Sequence, residues 1–146
     1  MERRILDMQH SHAVIAQMAH ADWATVLKGE YTPGQLLSLM GSFAFAVGMR
    51  LHFLMFAAMQ RVPFVALPYA SKVSGLLEAL DMNMPPMKQV NAGQIIAYID
   101  RSWDMREELQ TKISQTLPTL QDRAQETNKI AVRLLTQRPH SLVKTA

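Results

Sequence analysis

Arg50, His52 and Lys72 are the residues of this chain whose types and spacing fit a chemical task. Each falls where an apolar strand-like run gives way to a helix-like one. Phe43 to Val47 is an apolar run short enough for a buried strand; Gly48 ends it, and Arg50, Leu51 and His52 open a helix. A helix start has unpaired N–H groups and positive potential, and a guanidinium and an imidazole beside it make a site for phosphate or carboxylate. In open parallel sheets such turns lie at the carboxyl ends of the strands, where ligands bind. Val62 to Leu67 repeats the pattern and leads to Ser71 and Lys72.

These turns need a scaffold, and the chain is long enough to supply one. Its 146 residues, 49% hydrophobic and 18% charged, suit one α/β domain with a real core. No apolar run reaches the roughly 18 residues of a membrane span, and Met1 to His12 lacks the apolar centre of a signal peptide. A cytoplasmic protein that does not cross a membrane is the expectation. The absence of cysteine removes disulfides, thiolate catalysis and cysteine-based metal sites. A net charge of +3 is modest. Arg123, Lys129, Arg133 and Arg138 are interleaved with Asp122 and Glu126, which describes a solvated helix rather than a nucleic-acid surface.

Helical and strand-like segments alternate along the chain. Asp7 is positioned to cap a helix running to about Ala19, and Ala24 to Leu27 is a short strand candidate. Thr32-Pro33 reads as an N-cap with proline at the first helical position, opening a helix that ends near Gly41. Ser71 caps a helix to about Leu80, and Asn91 or Gly93 starts another through Trp103. From Met105 to Gln137 the pattern is helical, with a break expected at Pro118. Leu120, Ala124, Thr127, Ile130, Ala131, Leu134 and Leu135 form an apolar stripe after it, and residues 138–146 read as a frayed tail. The expected architecture is a Rossmann-like parallel sheet with helices on both faces over residues 1–104, followed by C-terminal helices and tail over 105–146 that pack on it or extend from it.

The segment from Gly48 to Met82 resembles the C-terminal part of the polysaccharide pyruvyl transferases. Arg50-Leu51-His52 stands at the strand-to-helix turn, an alanine-containing helix runs from Phe53 to Gln60, Val62-Pro63 enters the next strand, and Tyr69-Ala70-Ser71-Lys72 follows. The resemblance implies one half of a GT-B-like two-domain fold. It implies transfer of a pyruvyl group from phosphoenolpyruvate to the hydroxyls of a saccharide acceptor as a ketal, in cell-envelope polysaccharide biosynthesis, with the donor as substrate and no cofactor or metal. Arg50 would anchor carboxylate or phosphate through paired hydrogen bonds, the Leu51 and His52 N–H groups would add donors, and His52 would supply a proton or hydrogen bond. Lys72 would stabilise the leaving phosphate, with Tyr69 and Ser71 as polar contacts.

Each assignment has a plainer alternative. Arg50 could lie over Trp103 or another apolar residue, His52 could bond only to backbone, Lys72 could be an ordinary strand-end lysine, and Ser71 could serve as a cap alone. His10 and His12 point in different directions on a helix, which disfavours joint metal binding. The family layout leaves Asp7, His10, Ser11 or His12 as a further approach to the donor. The eleven methionines read as adaptable packing. Compared with the family, the chain is expected to lack the opening strand and the N-terminal domain. Activity would then need that domain or a second chain, and the isolated half would be inactive. The alternatives are a non-catalytic anion-binding or interaction fragment of the same fold, or a nucleotide-sugar enzyme with Glu78 or Asp81 near the ribose.

Overall fold

A computed structural model of the chain describes residues 2–67, 71–82 and 90–136, with side chains from Asp7 onward. It divides into two compact units, Met1–Thr32 and Pro33–Ala146. The fold is mixed α/β and mostly helical.

In the first unit, helix α1 spans Glu2–Ile15 and a single 3-10 turn spans Ala21–Trp23. Asp7 is not the expected cap but an interior residue of α1; its carbonyl accepts a hydrogen bond from Ser11 Oγ at 2.9 Å. The helix stops at Ile15, short of Ala19. Ala24 to Leu27, expected as a strand, forms no ladder. A strand exists only where another strand takes its backbone groups, so an apolar run alone does not make one.

In the second unit the order is α2 (Pro33–Met40), β1 (Ala46–Gly48), α3 (Leu51–Met59), β2 (Phe64–Ala66), α4 (Ser71–Ala79), α5 (Ala92–Asp104) and α6 (Arg106–Thr136). The strands β1 and β2 are parallel, with Ala46, Val47 and Gly48 opposite Phe64, Val65 and Ala66. Among the described residues the sheet has these two strands. It is smaller than the expected Rossmann-like sheet. The strand expected from Phe43 starts only at Ala46, because Ser42 and Phe43 N–H groups still bond back to Leu39 and Met40 carbonyls of the preceding helix end.

The core gathers on α3 and β2. Leu54, Ala57, Phe64, Val65, Ala66, Leu80 and Ile113 are fully shielded from solvent. Helix α3 is apolar almost throughout because it packs against α2, α4, α6 and both strands. Its end and that of α4 close in the same way. Val62 and Arg61 N–H groups bond to Ala57 and Ala58 carbonyls; Met82 and Asp81 N–H groups bond to Leu77 and Glu78 carbonyls. Both are Schellman caps, with Arg61 (φ 55°) and Asp81 (φ 53°) in the left-handed position that glycine usually takes. Helix α6 braces both: Gln110 Nε2 donates to the Arg61 carbonyl at 3.1 Å, and Lys112 Nζ lies 2.9 Å from Asp81 Oδ2.

Helix α5 opens at Asn91, one of the two starts expected, on a capping box. The Asn91 side chain accepts from Gln94 N–H at 2.9 Å, and Asn91 N–H donates to Gln94 Oε1 at 3.0 Å. The break expected at Pro118 does not occur: α6 runs through it without interruption. The proline lies on the exposed face while Ile113 and Leu117 are buried and Leu120 packs against the core, so burial holds the turn despite the missing N–H. Beyond Leu120 every described residue of α6 is exposed, including Leu134 and Leu135. The tail expected over 138–146 lies outside the described residues.

Candidate functional site

The turn from β1 to α3 is built by close packing around Gly48. A Cβ placed on Gly48 would fall far inside van der Waals contact with the Phe53 ring. Only a glycine lets the first turn of α3 settle on the end of β1. Leu67 N–H donates to the Gly48 carbonyl at 2.7 Å, tying the carboxyl ends of the two strands together.

Arg50 is the residue before the helix, with extended backbone (φ −90°, ψ 129°) and no side chain capping the turn. Its carbonyl accepts the Leu54 N–H at 3.2 Å, so the helix begins immediately after it. Leu51 and Phe53 turn toward the core while Arg50 and His52 are exposed. The helical period accounts for this split: Leu51, Leu54 and Ala58 share the inward face, and His52, Met55 and Met59 the outward one. Arg50 and His52 are thus exposed beside a first helical turn that the Arg50 side chain does not cap.

Helix α4 adjoins α3 and follows the neighbouring strand. Ser71 is its first helical residue rather than the residue before it, and both Ser71 and Lys72 are exposed. Because Gly48 is opposite Ala66, the carboxyl ends of β1 and β2 lie side by side. Tyr69 lies outside the described residues, as does Ala70.

The Trp103 ring carries Arg106, whose guanidinium carbon is 4.9 Å from its centroid, and meets the edge of Phe45 at 5.5 Å. Among the described residues no group of three histidine, aspartate or glutamate side chains could hold a metal ion. Asp7, Met8 and Ser11 line a small open cleft of about 200 Å³ with Val26, Leu27 and Gly29, all in the first unit. His10 and His12 are exposed on α1. Glu78 and Asp81 fall on the last turn and cap of α4, at the opposite end of that helix from Ser71 and Lys72.

Sequence reading missed Gly48 as the contact that seats α3, taking it only as a strand end. A strand-terminal glycine followed by Phe53 one helical turn into the next element is the signal that was present. It also missed Tyr98, half-buried on α5, whose hydroxyl is pushed up to about 12 by burial, opposed in part by the nearby Ser102.

No helix among the described residues is long and apolar enough to cross a membrane. No curated protein and no solved structure matches the chain. The family model described as polysaccharide pyruvyl transferase matches residues 2–71, a span that holds β1, the Arg50 turn, α3 and β2. Over that span, the chain is similar to the polysaccharide pyruvyl transferases.

Proposed function

We propose that this chain is the donor-binding part of a pyruvyl transferase, and that the β1-to-α3 turn holds phosphoenolpyruvate. The observation that carries the reading is the exposed Arg50 and His52 beside an N-terminal helix turn without a side-chain cap, inside the span that matches the family. A planar carboxylate suits the two parallel donors of the Arg50 guanidinium, and the Leu51 and His52 N–H groups add donors without loss of side-chain entropy. Lys72, reached from the adjacent strand, supplies a point charge for the phosphate, with Ser71 and Tyr69 as polar contacts.

In the transfer, His52 gives a proton to C3 of the enol while a sugar hydroxyl oxygen bonds to C2. A second hydroxyl of the same sugar then displaces phosphate from C2, closing the ketal. Of the two hydroxyl protons, one balances the proton gained by C3 and the other leaves on the phosphate. In this reading β1, β2 and their helices are part of a GT-B-like half, with donor-binding residues within 1–104 and α6 packed on it as far as Leu120. Turnover needs an acceptor-binding side of the cleft as well as this donor-binding part. No metal or cofactor takes part, and the work is done in the cytoplasm.

Titration calorimetry with phosphoenolpyruvate tests the reading. The chain should bind, and Arg50→Ala should weaken binding about 10-fold or more, the loss of a charge-assisted pair. Equal binding by both chains, or none by either, contradicts it. Binding of a nucleotide sugar in place of phosphoenolpyruvate would favour the nucleotide-sugar alternative.

A further inference from the structure

Helix α3 has three exposed residues, His52, Met55 and Met59, and each carries a soft metal ligand. The rest of the helix is buried or half-buried. Met55 is 39% and Met59 44% exposed, although methionine is ordinarily an interior residue. The exposed apolar side chains of α6, namely Ile130, Val132, Leu134 and Leu135, are aliphatic and have no donor atom. On α3 every side chain in water has one.

The spacing places these donors together. Met55 follows His52 by three residues and Met59 follows Met55 by four, so consecutive members stand about 5–6 Å apart at Cβ on one stripe of the helix. The unbranched methionine side chain turns about three bonds and carries a polarisable sulfur, which lets both Sδ atoms swing toward the imidazole.

The ligand chemistry selects the ion. Thioether sulfur suits Cu(I), whereas magnesium, calcium and manganese take carboxylate, carbonyl and water. The chain has no aspartate or glutamate from Tyr31 to Leu77, and among the described residues no group of three histidine, aspartate or glutamate side chains could hold a metal ion. Zinc sites draw on thiolate, several imidazoles or carboxylate, and the chain has no cysteine. Imidazole and thioether are neutral, and the Arg50 guanidinium two residues before His52 repels a divalent ion more than a monovalent one.

We propose that the exposed face of α3 binds one soft monovalent cation, Cu(I), through the His52 imidazole and the Sδ atoms of Met55 and Met59. Where His52 is the proton donor to phosphoenolpyruvate, the ion occupies the nitrogen that would carry the proton and stops transfer while Arg50 stays in place. That consequence rests on the donor-binding reading; the cation site itself does not.

NMR of the methionine ε-methyl groups tests the site, with silver(I) as a probe of the same ligand preference that keeps its oxidation state, and then with Cu(I) without oxygen. The Met55 and Met59 signals should move and saturate at one ion per chain, while those of Met18 and Met105, exposed elsewhere, should stay. In competition with a chromogenic Cu(I) chelator, Met55→Leu with Met59→Leu should weaken binding about 10-fold or more, and His52→Ala should do the same. Leucine matches methionine in helix propensity, so the double variant should keep its circular dichroism. Arg50→Ala should hold the ion and lose phosphoenolpyruvate, so the cation site and the donor site fail separately. Equal movement of the Met18 and Met105 signals, a double variant that binds as the wild type does, or Zn(II) held more tightly than Cu(I) overturns the proposal.

Discussion

The two ends of α3 and α4 are built on opposite terms. At their carboxyl ends both helices close in Schellman caps, and α6 holds each cap from outside through Gln110 and Lys112. At the amino end of α3 no side chain caps the helix, and the polar residues Arg50 and His52 are left exposed. One end is fixed by hydrogen bonds within the protein; the other is where the anion is proposed to bind. The contrast teaches that substitutions at the braced end should change stability and leave donor binding alone, whereas those at the open end should do the reverse. Gly48 is the exception, because it belongs to the open end and also seats α3.

The largest effect should come from the brace. Ile113→Ala removes a fully buried side chain that joins α6 to the core, and should lower stability by about 2–4 kcal/mol in urea denaturation. An effect under about 0.5 kcal/mol would mean that α6 does not brace the unit. Gly48→Ala should come next. It drives a methyl into the Phe53 ring, lowers stability by about 1–3 kcal/mol and weakens phosphoenolpyruvate binding as well, since α3 must shift. Loss of stability with unchanged affinity would separate Gly48 from the site.

Arg61→Gly should act in the other direction. Glycine adopts the left-handed conformation without the Cβ penalty, so the variant should gain about 0.5–1 kcal/mol, read as a rise of a few degrees in Tm, with binding unchanged. Asp81→Gly should gain less, because it also gives up the Lys112 ion pair. The smallest effect concerns Tyr98. Its hydroxyl ionises at about 12 in the folded chain and near 10 when unfolded, so the neutral form is the one the fold favours. The corresponding stability is complete below pH 10 and is lost as pH rises from 10 through 12. Tyr98→Phe should flatten the fall of Tm in that window; an unchanged slope would remove Tyr98 from the alkaline response.

What could be read in the sequence follows from the range of the interactions concerned. The helix starts at Leu51, Pro33 and Ala92 were legible because caps and strand-to-helix turns are set by neighbouring residues, and Asn91 with Gln94 is wholly local. The Arg50 and His52 positions were legible for the same reason. The strand at Ala24 to Leu27 and the break at Pro118 were misjudged because each depends on a distant partner: a strand needs another backbone, and a proline is tolerated where flanking residues such as Ile113 and Leu117 are buried. The Schellman caps at Arg61 and Asp81 escaped notice since neither is a glycine. The close approach of Phe53 to Gly48 required coordinates.

Donor binding at the uncapped end of α3 is tested most directly by phosphorus NMR of phosphoenolpyruvate titrated with the wild-type chain, Arg50→Ala and Arg61→Gly. The wild-type and Arg61→Gly chains should broaden or shift the phosphate resonance alike, and Arg50→Ala should leave it near its free position. A resonance that moves equally with Arg50→Ala, or that follows Arg61 instead, would contradict the assignment of the anion to the Arg50 turn.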